Sequence, residues 1–91
     1  MDLEIEKKRQ MFRSWHRGTR EMDMLLGRFA DACVPDFNEG QVILYDRVLK
    51  NSDPDLYNWV TGKEPVPPSE DNKVMKKLMD FKCHEVGTDK R

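Results

Sequence analysis

Long apolar runs are missing from this 91-residue chain, and so is net charge. Sixteen lysines and arginines stand against 17 aspartates and glutamates, a formal balance of −1. Bulk charge therefore argues neither for nucleic acid nor for a membrane surface. No stretch approaches the ~20 apolar residues of a membrane helix, so no membrane insertion is expected. Charged residues follow Met1 at once, so no secretory signal is read and a cytoplasmic chain is expected.

Cysteine is scarce too. Cys33 and Cys83 stand apart with no CxxC pair, which suits thiols in a reducing compartment. A zinc site would have to draw on His16, Cys33, Cys83 and His84. The adjacent Cys83 and His84 lack the spacing of zinc ligands, and no metal is expected. Also missing are a P-loop, a GxGxxG turn, an HExxH helix and any Ser-His-Asp logic. One modest core is all that 91 residues support, which leaves little room for a cleft enclosing cofactor and substrate. The chain is not expected to be an enzyme.

What is present is 36% charged and 37% hydrophobic, a composition that suits a small helical domain. No segment alternates with period two. Residues 3–16 carry Ile5, Phe12 and Trp15 as a helical stripe, flanked by Leu3 and Met11, and Gly18 fits a left-handed helix terminus. Met22, Leu25, Leu26, Phe29, Ala30 and Cys33 follow the i, i+3, i+4 pattern of a helix over 19–32, ended by Pro35.

Asn38 with Gln41 forms a capping box, and Phe37 with Val42 a hydrophobic staple. They open a helix to about residue 50 with Val42, Tyr45, Val48 and Leu49 inward. In "SDPDLYNWVTG", Asp53 is the expected cap, Pro54 the first helical residue and Gly62 the terminator. This helix presents Leu56, Trp59 and Val60.

"KEPVPPSE" reads as a stiff polyproline-like connector. Ser69 then caps a last helix with Val74, Met75, Leu78 and Phe81 inward, and a polar tail follows Glu85. The expectation is one all-α domain over 1–91, a single small bundle of about five short helices. Its core spans about 3–84 and its tail about 85–91.

Residues 7–20 hold Lys7, Lys8, Arg9, Arg13, Arg17 and Arg20 without an acid, while acids concentrate after Cys33. Such a run is usually a solvated helix face, and it can also be a surface for an anionic partner. The helix after the turn carries Glu21, Asp23 and Asp31, which argues against reading duplex DNA with it. A small regulator, antitoxin-like or associated with nucleic acid, stays open through this basic stretch. Inside it lies Arg17-Gly18-x-x-Glu21. As helix punctuation, an exposed Arg17–Glu21 pair is worth at most about 0–1 kcal/mol.

"RGTREMDMLLGRF" followed by "DPDLYNWVTG" resembles the FAD assembly factors of succinate dehydrogenase, the SdhE-like family. Its RGxxE motif is matched by Arg17, Gly18 and Glu21, with Met22 and Asp23 following. Its Asp-Leu-aromatic-x-Trp segment is matched by Asp55, Leu56, Tyr57 and Trp59. Thr19 and Met22 depart from residues often found there. The resemblance covers residues 8–82 and implies a five-helix fold.

It further implies an assembly chaperone that binds the flavoprotein subunit of succinate dehydrogenase, and in bacteria that of fumarate reductase. There it promotes covalent attachment of FAD to a histidine. On this resemblance the chain is a bacterial cytoplasmic protein that binds no FAD stably by itself and acts on FAD held by its partner. No nucleic acid and no metal are implied. The implied partner-binding face is Arg17, Gly18, Glu21 and Asp23, with Arg20 and Arg13 beside it. Gly18 would admit a close backbone, Arg17 would meet a partner carboxylate or flavin charge, and Glu21 would orient Arg17 or a partner side chain. Trp59 and Tyr57 are expected in the core. A free flavin carrier is a further class, for which the sequence offers no phosphate-cradling loop.

Overall fold

The computed structural model describes residues 2–89, with side chains through Phe81. Five α-helices follow one another: α1 Leu3–Trp15, α2 Arg20–Cys33, α3 Glu39–Leu49, α4 Asp53–Val60 and α5 Lys73–Asp89. Two short 3₁₀ turns, Val34–Asp36 and Pro68–Glu70, complete the described elements, and the bundle is all-α.

Each helix starts on a side-chain oxygen that takes an otherwise unmet backbone N–H. Asp2 Oδ1 accepts from Ile5, Thr19 Oγ1 from Met22 and Ser52 Oγ from Asp55. Asn38 and Gln41 bond reciprocally at 2.9 Å, so the capping box forms as expected. Two caps differ from the sequence reading. Ser52 rather than Asp53 caps α4, because the Asp53 carboxylate is drawn to Arg17. Asn72 rather than Ser69 opens α5, at 2.8 Å from the Met75 N–H, because Ser69 is used in the 3₁₀ turn after Pro67. Helix α5 also runs on to Asp89, past the expected end at Glu85.

Gly62 ends α4 with φ +83°, the left-handed conformation glycine adopts without a Cβ penalty. Gly18 does not: no other described glycine has a positive φ, and α1 ends on His16. Pro67, at φ −62° and ψ 147°, keeps the connector in polyproline geometry.

Phe29 sits at the centre of the core. Its ring lies 5.4 Å from Tyr45, 5.7 Å from Phe81 and 6.3 Å from Phe37, in the tilted and edge-on arrangements aromatic pairs favour. Leu26, Val48, Leu56, Val74 and Leu78 fill the space around these rings. The inward stripes of α2, α3 and α5 are those the spacing indicates.

Helix α1 is the exception. Ile5 is 49% and Phe12 64% exposed, whereas Gln10 and Ser14 are buried. The polar pair finds partners there for all but Gln10 Oε1, which is buried without a hydrogen bond. Gln10 Nε2 donates to the Val42 carbonyl at 2.7 Å, and the Ser14 hydroxyl shares a hydrogen bond with Tyr45. Burial pushes the Tyr45 phenol well above its ordinary pKa, against the pull of the Ser14 bond.

Candidate functional site

The turn from α1 to α2 is built by its own sequence. Asp23 Oδ1 accepts the Arg17 N–H at 2.5 Å while Thr19 caps α2, so residues 17–23 close on themselves. The Arg17 side chain leaves the turn and crosses to the α3–α4 junction. Nε donates to Asp53 Oδ1 at 2.8 Å, Nη1 to the Leu49 carbonyl at 2.8 Å and Nη2 to the Asn51 carbonyl at 2.7 Å.

The electrostatics explain the destination. Leu49 ends α3, where unmet carbonyls concentrate partial negative charge. Asp53 opens α4, where a carboxylate meets partial positive charge. One planar guanidinium fork serves both helix ends at once. Its side chain is 12% exposed and that of Asp53 20%.

Arg17 is therefore not the outward arginine that the resemblance implies. Three of its five N–H donors are used inside the protein, and no bond joins it to Glu21. Gly18 also has an internal reason. A Cβ there would stand 3.2 Å from Asp53 Oδ2, tight against a carboxylate that Arg17 holds in place. Asp23 is committed to the turn. Arg13 pairs with Asp46 across α1 and α3 at 2.7 Å. Of the six expected partner-binding residues, Arg20 and Glu21 are exposed and make no hydrogen bond or ion pair among the described residues.

Glu21 borders an open groove of about 310 Å³ with Thr19, Met22, Asp53, Pro54 and Tyr57. Tyr57 is 40% exposed there, while Trp59 is buried. The two aromatics thus separate: Trp59 belongs to the core, as expected, and Tyr57 to the groove. Their spacing settles this, since on a helix residues two apart face different sides.

Gly27 escapes a reading from periodicity alone. A Cβ at this position would lie 2.2–2.5 Å from ring atoms of Trp15, so the indole lies directly on the α2 backbone. A glycine inside a regular helix, where it costs ~0.5–1 kcal/mol, is the signal that could have revealed this contact.

The basic stretch is largely consumed by internal bonds. Lys7 Nζ donates to the Pro35 carbonyl, Arg9 pairs with Glu6, and Arg13 and Arg17 are bonded as described. Among the described residues no three His, Cys, Asp or Glu side chains converge as a metal site. His16 instead stacks on Phe12 with its Nδ1 at the Phe12 carbonyl. Cys33 is a free thiol that burial pushes up in pKa, against nearby Lys77 and with Asp36 adding to the rise. Cys83 and His84 lie outside the residues whose side chains are described. No described helix is long and apolar enough to cross a membrane.

Comparison with known proteins decides the kinship. Residues 8–82 match the family model described as flavinator of succinate dehydrogenase. The chain belongs to that family. It is 36% identical over 90 residues to succinate dehydrogenase assembly factor 2, mitochondrial, of Drosophila grimshawi, covering 97% of this chain and 59% of the relative. It is 41% identical over 78 residues to assembly factor 2-B, mitochondrial, of Drosophila mojavensis, covering 84% and 50%. A yeast relative from Scheffersomyces stipitis, named likewise, is 37% identical over 82 residues, covering 86% and 55%.

The chain thus spans about half the length of these flavinator-family relatives. Their names are mitochondrial and their sources are flies and a yeast, which overturns the expectation of a bacterial cytoplasmic protein. The bacterial part of that expectation came from the resemblance, and the cytoplasmic part also from the charged residues after Met1.

Proposed function

We propose that this chain is a mitochondrial assembly factor that binds the flavoprotein subunit of succinate dehydrogenase and promotes covalent attachment of FAD to a histidine of that subunit. One observation beyond family membership carries the reading. Arg20 and Glu21 hold unpaired charges outward on a turn fixed by the bonds of Arg17, Thr19 and Asp23. The fixed turn spares the backbone ordering cost on docking, and the two long side chains give up only their rotamer freedom.

The groove beside them does not suit FAD itself. Its carboxylates, Glu21 and Asp53, would repel the dinucleotide's diphosphate, and it offers no run of backbone N–H groups to receive one. FAD therefore stays with the partner, and this chain supplies binding energy instead of chemistry. Binding that favours one conformer of the flavoprotein raises the rate by aligning its histidine nitrogen with the flavin.

The competing reading as a nucleic-acid regulator rested on free cations over 7–20. Lys7, Arg9, Arg13 and Arg17 are bonded within the protein, which weakens the support for it.

The test uses cells lacking this protein, complemented with wild type, Glu21→Lys or Arg20→Glu. The flavoprotein subunit is denatured and its gel-resident flavin fluorescence is measured. Covalent flavin restored by wild type and reduced by both folded variants is the expected result. Equal covalent flavin in every sample, the deletion included, overturns the proposal.

A further inference from the structure

The groove between α2 and α4 has a chemical character of its own. Its floor is apolar, with buried Met22 and the ring of Pro54. Its rim carries the unpaired Glu21 carboxylate and Asp53, whose Oδ2 makes no hydrogen bond among the described residues. One wall is the half-exposed Tyr57 ring. None of the lining residues is basic. Outside the lining residues, Lys63 Nζ sits 5.5 Å from the Tyr57 centroid.

We infer that this groove receives a basic side chain of the partner protein, an arginine stacked on Tyr57 and paired with Glu21. The inference rests on the assembly-factor reading for the partner's identity, though not for the chemistry of the groove. Three observations converge on it. An apolar floor accommodates the methylene stem that a long cationic side chain must bury. The Tyr57 face attracts cations, as Lys63 demonstrates from within the chain, and a planar guanidinium stacks there better than an ammonium. Glu21 is the carboxylate left without a partner at the mouth. Arg17 does not neutralise it: its three nitrogens bond Asp53 and two carbonyls, and none bonds Glu21. The interface thus has the opposite polarity to one in which Arg17 seeks a partner carboxylate.

Two measurements test this independently of each other. The first needs no client: the protein is titrated with N-acetyl-arginine amide, with the norleucine and glutamate amides as controls, and followed by NMR. Shifts at Thr19, Met22 and Tyr57 with the arginine probe alone are expected. Glu21→Gln should weaken the probe about fivefold, as loss of one exposed ion pair would. Equal shifts with arginine and norleucine, or none at the groove, overturn the inference.

The second measurement is the affinity for purified succinate dehydrogenase flavoprotein subunit, with a photocrosslinker at position 57. Tyr57→Phe should bind within about twofold of wild type, and Tyr57→Ala and Glu21→Gln about tenfold more weakly. The crosslinked segment should contain arginine or lysine. Wild-type affinity in Glu21→Gln, or a crosslink to a segment without a basic residue, overturns the groove chemistry. If wild type ignores the flavoprotein while still taking the arginine probe, the choice of client fails and the groove chemistry stands.

Discussion

Arg17 Nε stands 2.8 Å from Asp53 Oδ1, joining the turn before α2 to the first turn of α4 across 36 residues of sequence. The first arginine of the RGxxE motif is thereby a fastener between helix junctions. The aspartate that holds it belongs to "DPDLYNW", the second stretch of family resemblance. Two motifs that look separate in the chain form one unit in the fold.

Removing the guanidinium leaves Asp53 and two carbonyls without their donor. Arg17→Ala should therefore cost roughly 2–4 kcal/mol, lowering Tm by about 10–20 °C. Arg17→Lys keeps the charge but not the fork and should recover less than half of the loss. A double-mutant cycle with Asp53→Asn, read by urea unfolding, should show a coupling of about 1–3 kcal/mol. Additive losses would mean the two residues act apart.

Gly27→Ala should destabilise by about 1–3 kcal/mol although alanine is the better helix former, because its Cβ collides with Trp15. In a Trp15→Ala background the sign should reverse to a small gain, since the obstruction is gone. Denaturant midpoints of the four proteins settle the matter.

Asn72→Ala should lose about 1 kcal/mol and Ser69→Ala almost nothing, because Asn72 caps α5. Equal losses would put the start of α5 elsewhere.

The cap positions show where legibility ended. The α2 stripe, the Asn38 box and the Gly62 terminator could be read because each depends on residues within a few positions. Asp53 could not, since its role is set by Arg17 far away in sequence. The inward face of α1 was misjudged for a related reason. Apolar Ile5 and Phe12 point out while Gln10 and Ser14 point in, where the carbonyl of Val42 and the hydroxyl of Tyr45, both distant in sequence, meet them. In the site, Glu21 was identifiable from its motif. Tyr57 was separable from Trp59 only once α4 was oriented.

Burial of Tyr45 makes stability depend on alkaline pH. Its folded pKa is raised above the unfolded value near 10, so its contribution is complete below about pH 10. Above that, the unfolded chain sheds its proton more readily than the folded one, and stability falls as pH rises. Tyr45→Phe should start about 1 kcal/mol lower through loss of the Ser14 bond and show a flatter decline from pH 10 to 11. Guanidine unfolding at stepped pH measures both.

The seat of Trp15 on Gly27 has an optical consequence. Two indoles occupy different surroundings: Trp15 half-covered and bonded to Asp31 at 3.2 Å, Trp59 8% exposed in the core. Separation of α1 from α2 would redden the emission of Trp15 and leave that of Trp59 blue. The protein thus carries a built-in fluorescent gauge that tells loosening of its first helix from collapse of the whole bundle.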